Sequence, residues 1–330
     1  MSKLKVYVTD YEYASLQEEI NEIEKIGAEL IPCQCKTEDD VIVACSDAAG
    51  LLDQYAPITR RVIESLPNLK VVARYGVGVN TVDLEAATEH GVCVVNVPDY
   101  CVDEVSDQAF ALLMACARKI TLLNDQVKGK GWDYKISKPI NRLRGQKLGL
   151  LGFGRIPRAL AEKAKAFGLE LLVYDPFVKA ESVEPYGAKL LSLDEVLQAA
   201  DFISVHVPLT DDTHHLLGER EFAMMKSNAI VINTSRGQLI DEVAMIKALA
   251  EKRIAGAGLD VLEDEPTAVD NPLLNMEQVV ITPHVAWYSE QSEGELKTKV
   301  ARGAADVLAG FYPASLVNRQ VAEKLSLKKR

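Results

Sequence analysis

The chain lacks any run of about 18 uncharged apolar residues, so no membrane-spanning helix is expected and no membrane partner with it. Its opening residues, MSKLKVYVTD, pass directly into a strand-like pattern without the apolar stretch of a secretory signal. Histidine is scarce at five residues, and only His214 and His215 are neighbours. The six cysteines, at 33, 35, 45, 93, 101 and 116, include Cys33-x-Cys35 with no companion pair and no histidine at zinc-ligand spacing. A metal is therefore not expected, and the thiols read as reduced side chains of a cytoplasmic protein. Basic residues are outnumbered, 37 against 48 acidic, for a net charge of -11. Such a surface repels phosphate backbones, which argues against nucleic acid as a partner. Short repeats and low-complexity segments are absent too.

What is present is alternation. With 330 residues, 48% hydrophobic and 26% charged, the chain can bury cores for two domains. Strand-like runs occur at 5–10, 28–35, 50–55, 70–78 and 92–98, and helix-period segments lie between them. Residues 103–130 read as one long helix with a wide apolar stripe at Val105, Ala109, Leu112, Leu113, Cys116 and Ile120. After a polar loop the alternation restarts at 147. Two such cycles predict two α/β units, each a parallel sheet covered by helices on both faces.

The clearest local motif spans residues 148–176. A buried strand feeds Gly152-Phe153-Gly154, a helix begins near Arg155 or Ile156, and the next strand ends at Asp175. Gly152 permits a tight turn, and Gly154 lets backbone approach a pyrophosphate at the helix N-terminus. A carboxyl at Asp175 suits ribose hydroxyls and repels a 2′-phosphate, which favours NAD over NADP. Pro157 stands where a third glycine is usual. A first-turn proline loses no needed hydrogen bond, so the motif is weakened but not broken.

Further polar residues follow strands in the second cycle: Arg236, Asp260, Glu265 and His284. In open parallel sheets, ligands bind beyond the carboxyl ends of strands. Histidine can exchange a proton near neutral pH, a neighbouring carboxyl can orient its ring, and arginine can grip a carboxylate bidentately. His284 is thus the expected acid/base, Glu265 its partner, and Arg236 the binder of a substrate carboxylate and carbonyl. Asp260 is expected to position a nicotinamide carboxamide. Taken singly, each residue also has an ordinary reading, as a sheet-edge histidine, a surface arginine or a strand-ending glutamate. The expected order at matching strand ends is what favours chemistry. His206 reads either as a wall residue beside the cofactor or as a core histidine.

Gly152-Phe-Gly154, Asn233-Thr-Ser-Arg-Gly237, Leu259-Asp-Val261, Glu265-Pro266 and Pro283-His284 together resemble the D-isomer-specific 2-hydroxyacid dehydrogenases. Ala73-Arg-Tyr-Gly-Val-Gly78 and His284-Val-Ala-Trp-Tyr-Ser-Glu-Gln291 look closest to the C-terminal-binding-protein branch of that family. The resemblance implies two doubly wound parallel-sheet domains. A Rossmann NAD-binding domain, 102–289, would be inserted into a flavodoxin-like substrate domain, 1–101 and 290–330, with the site in the cleft.

The resemblance also implies hydride transfer between nicotinamide and C2 of a small 2-hydroxy or 2-keto acid, in a homodimer built largely on cofactor-domain surfaces. The implied catalytic set is Arg236, Glu265 and His284. Implied cofactor contacts are Val77, Gly152, Gly154, Arg155, Ile156, Asp175, His206, Val207, Pro208, Thr213, Thr234, Ser235, Arg236, Asp260, His284 and Ala286. Arg74, Val77, Gly78, Arg236, His284 and Trp287 would meet the substrate. Asn80 and Thr81 depart from the family's usual run after the first glycine pair, and Ala286-Trp287 replaces a frequent Gly-Gly, which would narrow the pocket. An alternative of another class is an NAD(H)-sensing, corepressor-like binding protein with slow residual turnover. Among enzymes, an L-hydroxyacid dehydrogenase and a phosphoglycerate dehydrogenase are the weaker alternatives.

Overall fold

In the computed structural model, which describes residues 3–329, the chain divides into two units. One runs to Tyr100 and resumes at Ser289; the other comprises Cys101–Tyr288. The first unit alternates β1 (Lys5–Val8), α1 (Gln17–Glu24), β2 (Glu29–Pro32), α2 (Glu38–Ala44), β3 (Gly50–Asp53), α3 (Arg60–Ser65), β4 (Val71–Arg74), α4 (Leu84–Glu89) and β5 (Cys93–Val95). The five strands are parallel in the order β2-β1-β3-β4-β5, the flavodoxin-like arrangement. Central strands β3 and β4 are almost wholly buried, as sheets covered on both faces require. The last long helix, α12 (Glu290–Leu308), packs against α1, β3 and β4 and so returns the chain to this unit.

The second unit contains α5 (Val102–Arg118), α6 (Ile120–Lys128), β6 (Lys147–Leu151), α7 (Arg155–Ala166), β7 (Glu170–Tyr174), α8 (Ala180–Val183), β8 (Ala188–Leu190), α9 (Leu193–Ala199), β9 (Phe202–Val205), α10 (Glu219–Met224), β10 (Ile230–Asn233), α11 (Glu242–Ala250), β11 (Gly256–Leu259) and β12 (Val279–Ile281). Its seven parallel strands are ordered β12-β11-β10-β9-β6-β7-β8. The order reverses between β6 and β9, the point where doubly wound sheets open a crevice at their carboxyl edge. No helix among the described residues is long and apolar enough to cross a membrane.

The sequence reading of one helix over 103–130 is corrected. Lys119 adopts a left-handed conformation at φ 51°, ending α5 and starting α6. A one-residue break barely disturbs the 3.6-residue period, so the apolar pattern runs through it unmarked. The two helices differ in burial. Leu112 and Leu113 of α5 are buried, whereas α6 buries none of its residues.

A buried polar cluster terminates the first sheet. Asp53, at the end of β3, is fully buried. Thr81 donates to its Oδ2 at 2.7 Å, and the Thr9 hydroxyl lies 3.1 Å from Oδ1. Asp10 accepts backbone N–H bonds from Gln54, Tyr55 and Ala56. Burial pushes the Asp53 carboxyl up to about 7, with the Thr81 bond opposing and Asp10 adding to the rise. An unfolded Asp titrates near about 3.9. Between those values the folded chain holds a proton that the unfolded chain has released, so stability falls as pH rises through that window. Asp53→Asn keeps the shape and cannot ionise. Between about pH 5, inside this window, and about pH 8, above it, urea unfolding should show a smaller loss of stability in the variant; an equal loss would refute the assignment.

Candidate active site

The carboxyl ends of β9, β10, β11 and β12 deliver the polar residues that the sequence singled out in the second unit. Asp260 follows β11 and is 1% exposed. Its Oδ1 accepts from the Thr282 hydroxyl at 2.5 Å and from Val285 N–H at 3.0 Å, and its Oδ2 accepts from Ala286 N–H at 2.8 Å. Its own carbonyl accepts the His284 N–H at 2.8 Å. One side chain therefore shapes the whole turn after β12. Gln108 of α5 supports Thr282 from the other side at 3.0 Å. His284 sits in that turn at φ 52°. A left-handed conformation at a non-glycine residue costs roughly 1–3 kcal/mol and persists only where surrounding bonds impose it.

The His284 ring is oriented as expected. Its Nδ1 lies 2.6 Å from Glu265 Oε2, while Glu265 Oε1 accepts the Leu262 N–H at 3.0 Å. Partial burial pushes the Glu265 carboxyl up, but the bond to His284, the charge of that ring, the Leu262 N–H and the nearby Arg236 together hold it below the ordinary range. Glu265 is thus a carboxylate at neutral pH, Nδ1 donates the proton of that bond, and Nε2 is the nitrogen left for chemistry.

Arg236 follows β10. Its carbonyl accepts from Asn233 Nδ2 at 2.8 Å, and its Nη1 donates to Ser235 O at 2.6 Å. Gly237 explains how this loop lies so close to the one carrying Glu265. A Cβ there would sit 1.8 Å from the Leu262 carbonyl oxygen, so any side chain would force the two loops apart. Thr234 is buried, and its Oγ1 has no hydrogen-bond partner.

Around β6 the glycine turn has the expected form. Gly152 has φ +93°, and a Cβ on it would stand 3.0 Å from the His206 carbonyl group. At Gly154 a Cβ would meet nothing within 4 Å, and no side chain caps the first turn of α7. Pro157 lies in that first turn, buried, with the helix continuing to Ala166. Asp175 accepts backbone N–H bonds from Phe153 and Phe177, each at 2.8 Å, so it ties the turn to the end of β7.

His206 contacts Ser204 Oγ at 2.8 Å, and desolvation pushes its imidazole down to about 3. It is neutral at any working pH, which argues against a second acid/base. Val207 is buried and Pro208 exposed. The Thr213 hydroxyl donates to the Pro208 carbonyl at 2.6 Å and organises the turn between them. Ala286 is buried, and Trp287 packs edge-on against Tyr288 at 5.5 Å.

In the first unit, Arg74 Nη2 reaches Gln54 O at 3.4 Å, while its buried Nε has no partner. Gly76 lies beneath the guanidinium. The Val77 carbonyl accepts from Asn96 at 2.6 Å, and Val77 is exposed at a bend that Gly78 follows. Thr81, whose role the sequence left open, ties the segment after Gly78 to Asp53. Sequence reading missed Thr282, Asn233, Gln108 and Asp53. Thr282 and Asn233 stand at strand ends beside chosen residues, a usable signal; Gln108 and Asp53 carry none.

Residues 110–286 match the family model of the D-isomer specific 2-hydroxyacid dehydrogenase, NAD binding domain. The chain belongs to the D-isomer specific 2-hydroxyacid dehydrogenases. A glyoxylate reductase of Korarchaeum cryptofilum is 40% identical over 284 residues, covering 84% of each chain. A D-3-phosphoglycerate dehydrogenase of Methanocaldococcus jannaschii is 39% identical over 317 residues, 96% of this chain but 59% of that one. Among solved structures, a D-lactate dehydrogenase with NAD+ from Lactobacillus jensenii superposes with a TM-score of 0.77 at 29% identity, covering 95% and 99%.

This dehydrogenase is an NAD-dependent oxidoreductase of 2-hydroxy acids. The corepressor-like alternative draws no support from these likenesses, and they do not single out the C-terminal-binding-protein branch. The residues present fit the cofactor: a glycine turn with open space at Gly154, an uncapped helix N-terminus and an unpartnered Thr234 hydroxyl.

His206 provides a test on the protein alone. An unfolded histidine takes up a proton near about 6.5. The folded chain refuses that proton until about 3, so stability falls as pH drops through this window. Chemical denaturation of His206→Asn should show a shallower acid-side decline than the parent; an identical slope would remove His206 from the account.

Proposed function

We propose that this dehydrogenase reduces small 2-keto acids with His284 as the proton donor, Glu265 as its orienting partner and Arg236 as the anchor for the substrate carboxylate and carbonyl. The observation that carries this reading is the 2.6 Å bond between His284 Nδ1 and Glu265, which leaves Nε2 for the substrate. Bound NADH would supply the hydride for C2. The imidazolium of His284 gives its Nε2 proton to the carbonyl oxygen, and in the oxidative direction the neutral ring takes it back. Arg236, always charged, fixes the carboxylate so that C2 has one orientation. Arg74, Val77, Gly78 and Trp287 are proposed to meet the rest of the substrate. The unpartnered Arg74 Nε supports the first of these, and the indole of Trp287 limits side-chain size.

For the cofactor, Gly152, Gly154, Arg155 and Ile156 would hold the pyrophosphate. Asp175 would take the adenosine ribose through its remaining lone pairs. Thr234, Ser235, Asp260, Ala286 and the wall of Val77, His206, Val207, Pro208 and Thr213 would line the remainder. Asp260 spends three acceptor positions on the turn that carries His284. Its main part is therefore to position the acid/base, and any bond to a carboxamide is additional.

We also infer a homodimer. Helix α6 leaves Ile120 and Val127 exposed, and Trp132 just beyond it is 89% exposed. Apolar surface gathered in this way marks a protein contact.

A panel of 2-keto acids, from glyoxylate and hydroxypyruvate to phenylpyruvate, with NADH and NADPH in parallel, tests the reading. One small acid should turn over rapidly with NADH. His284→Ala should lower kcat by about 10²–10⁴-fold, and near-parental kcat would sink the assignment. Asp175→Ala should raise the use of NADPH relative to NADH; an unchanged ratio would place ribose recognition elsewhere.

A further inference from the structure

Three thiols separated in the sequence converge in the first unit. Cys33 and Cys35 follow β2, the edge strand of the five-stranded sheet. Their N–H groups bond to Val8 O and Thr9 O, each at 2.8 Å, so the backbone there still runs alongside β1. Residues two apart on such a chain point to one face. Cys45 caps the C-terminal end of α2 and meets that face. The three Sγ atoms lie within 4.8 Å of one another, and all three cysteines are free. Cys35 and Cys45 are buried, and Cys33 is only partly so, which leaves one side open to an incoming ion.

We propose that Cys33, Cys35 and Cys45 form a binding site for one thiophilic divalent d10 cation, of the zinc or cadmium kind. Sulfurs that share such a cation at bonds of about 2.3 Å stand roughly 4 Å apart, and the three Sγ atoms here, within 4.8 Å of one another, need only a small adjustment to reach that spacing. Thiolate donors select soft d10 ions over magnesium, calcium or manganese. Charge selects the divalent state. Three thiolates and a divalent ion leave one net negative charge, a monovalent ion leaves two, and Asp10 and Asp40 already act on Cys35. Each thiol releases its proton to solvent as its sulfur takes the metal, and nothing is oxidised or reduced.

A redox role fits less well. Cys35 and Cys45 are buried, out of reach of an oxidant in solvent. A bound ion would tie the end of β2 to the end of α2 and close the segment 33–45 at an exposed sheet edge.

Titration of the reduced full chain with cadmium chloride, read by ultraviolet thiolate-to-cadmium charge-transfer absorption, tests the site. Saturation at one equivalent is expected, with a rise in Tm and unchanged NADH turnover. Cys33→Ser is the tolerant variant because that side chain is partly exposed; it should lose about a third of the absorption, one thiolate in three. Cys33→Ser/Cys45→Ser should abolish tight binding. The set of His214, His215 and Glu263, also within 4.8 Å, contains no sulfur and gives no such band. Absence of the band at one equivalent, or a band unchanged in Cys33→Ser, overturns the proposal.

Discussion

The turn that carries His284 depends on a single buried carboxyl, that of Asp260. Both of its oxygens accept from the 282–286 segment, and its backbone carbonyl takes the His284 N–H. Its own N–H bonds the Asn233 carbonyl at the end of β10, so the loops after β10, β11 and β12 share one anchor. A buried polar side chain is tolerated only when its hydrogen bonds are made, and here every bond made also shapes the site. Each such bond contributes about 0.5–1.5 kcal/mol. Three of them together are of the right size to offset the roughly 1–3 kcal/mol of left-handed backbone at His284.

The same economy runs through both units. Carboxyl groups at strand ends gather the backbone of the following loop: Asp10 takes three N–H groups beyond β3, and Asp175 takes two around the glycine turn. The parallel sheet brings these ends to one edge, and the bonds then hold irregular loops in one shape. Such a loop can carry a reacting group without being mobile. Glycines act where backbone must touch backbone. Gly237 admits the Leu262 carbonyl beside the Arg236 loop, and Gly152 admits the His206 carbonyl beside the glycine turn after β6.

Part of this could be read from the residues. Glu265 and His284 could be singled out because chemistry restricts residue type and strand ends restrict place, whereas the anchoring part of Asp260, read in the sequence for a carboxamide, could not. Lys119 was not legible, because a one-residue left-handed break leaves the apolar period intact. Thr81 was ambiguous because its partner, Asp53, lies 28 positions away, and only the pairing of β3 with β4 brings the two segments together. Asp175 was read for a ribose, yet both oxygens also serve the local backbone, a duty that no spacing reveals.

By itself the sequence determined the class: two α/β cycles, a strand–glycine–helix–strand–Asp unit, and arginine, glutamate and histidine in the order expected of hydride chemistry on a 2-hydroxy acid. These are local matters, set by apolar periodicity and by the few side chains that can hold a carboxylate or move a proton. Tertiary structure decided which of those groups touch. It set the nitrogen of His284 that faces Glu265, and it turned Asp260 into the anchor of the turn that carries His284. It also placed Cys45 against Cys33 and Cys35. Those contacts arise from strand order and helix docking, in which residues far apart in sequence meet because burying apolar surface brings their elements together.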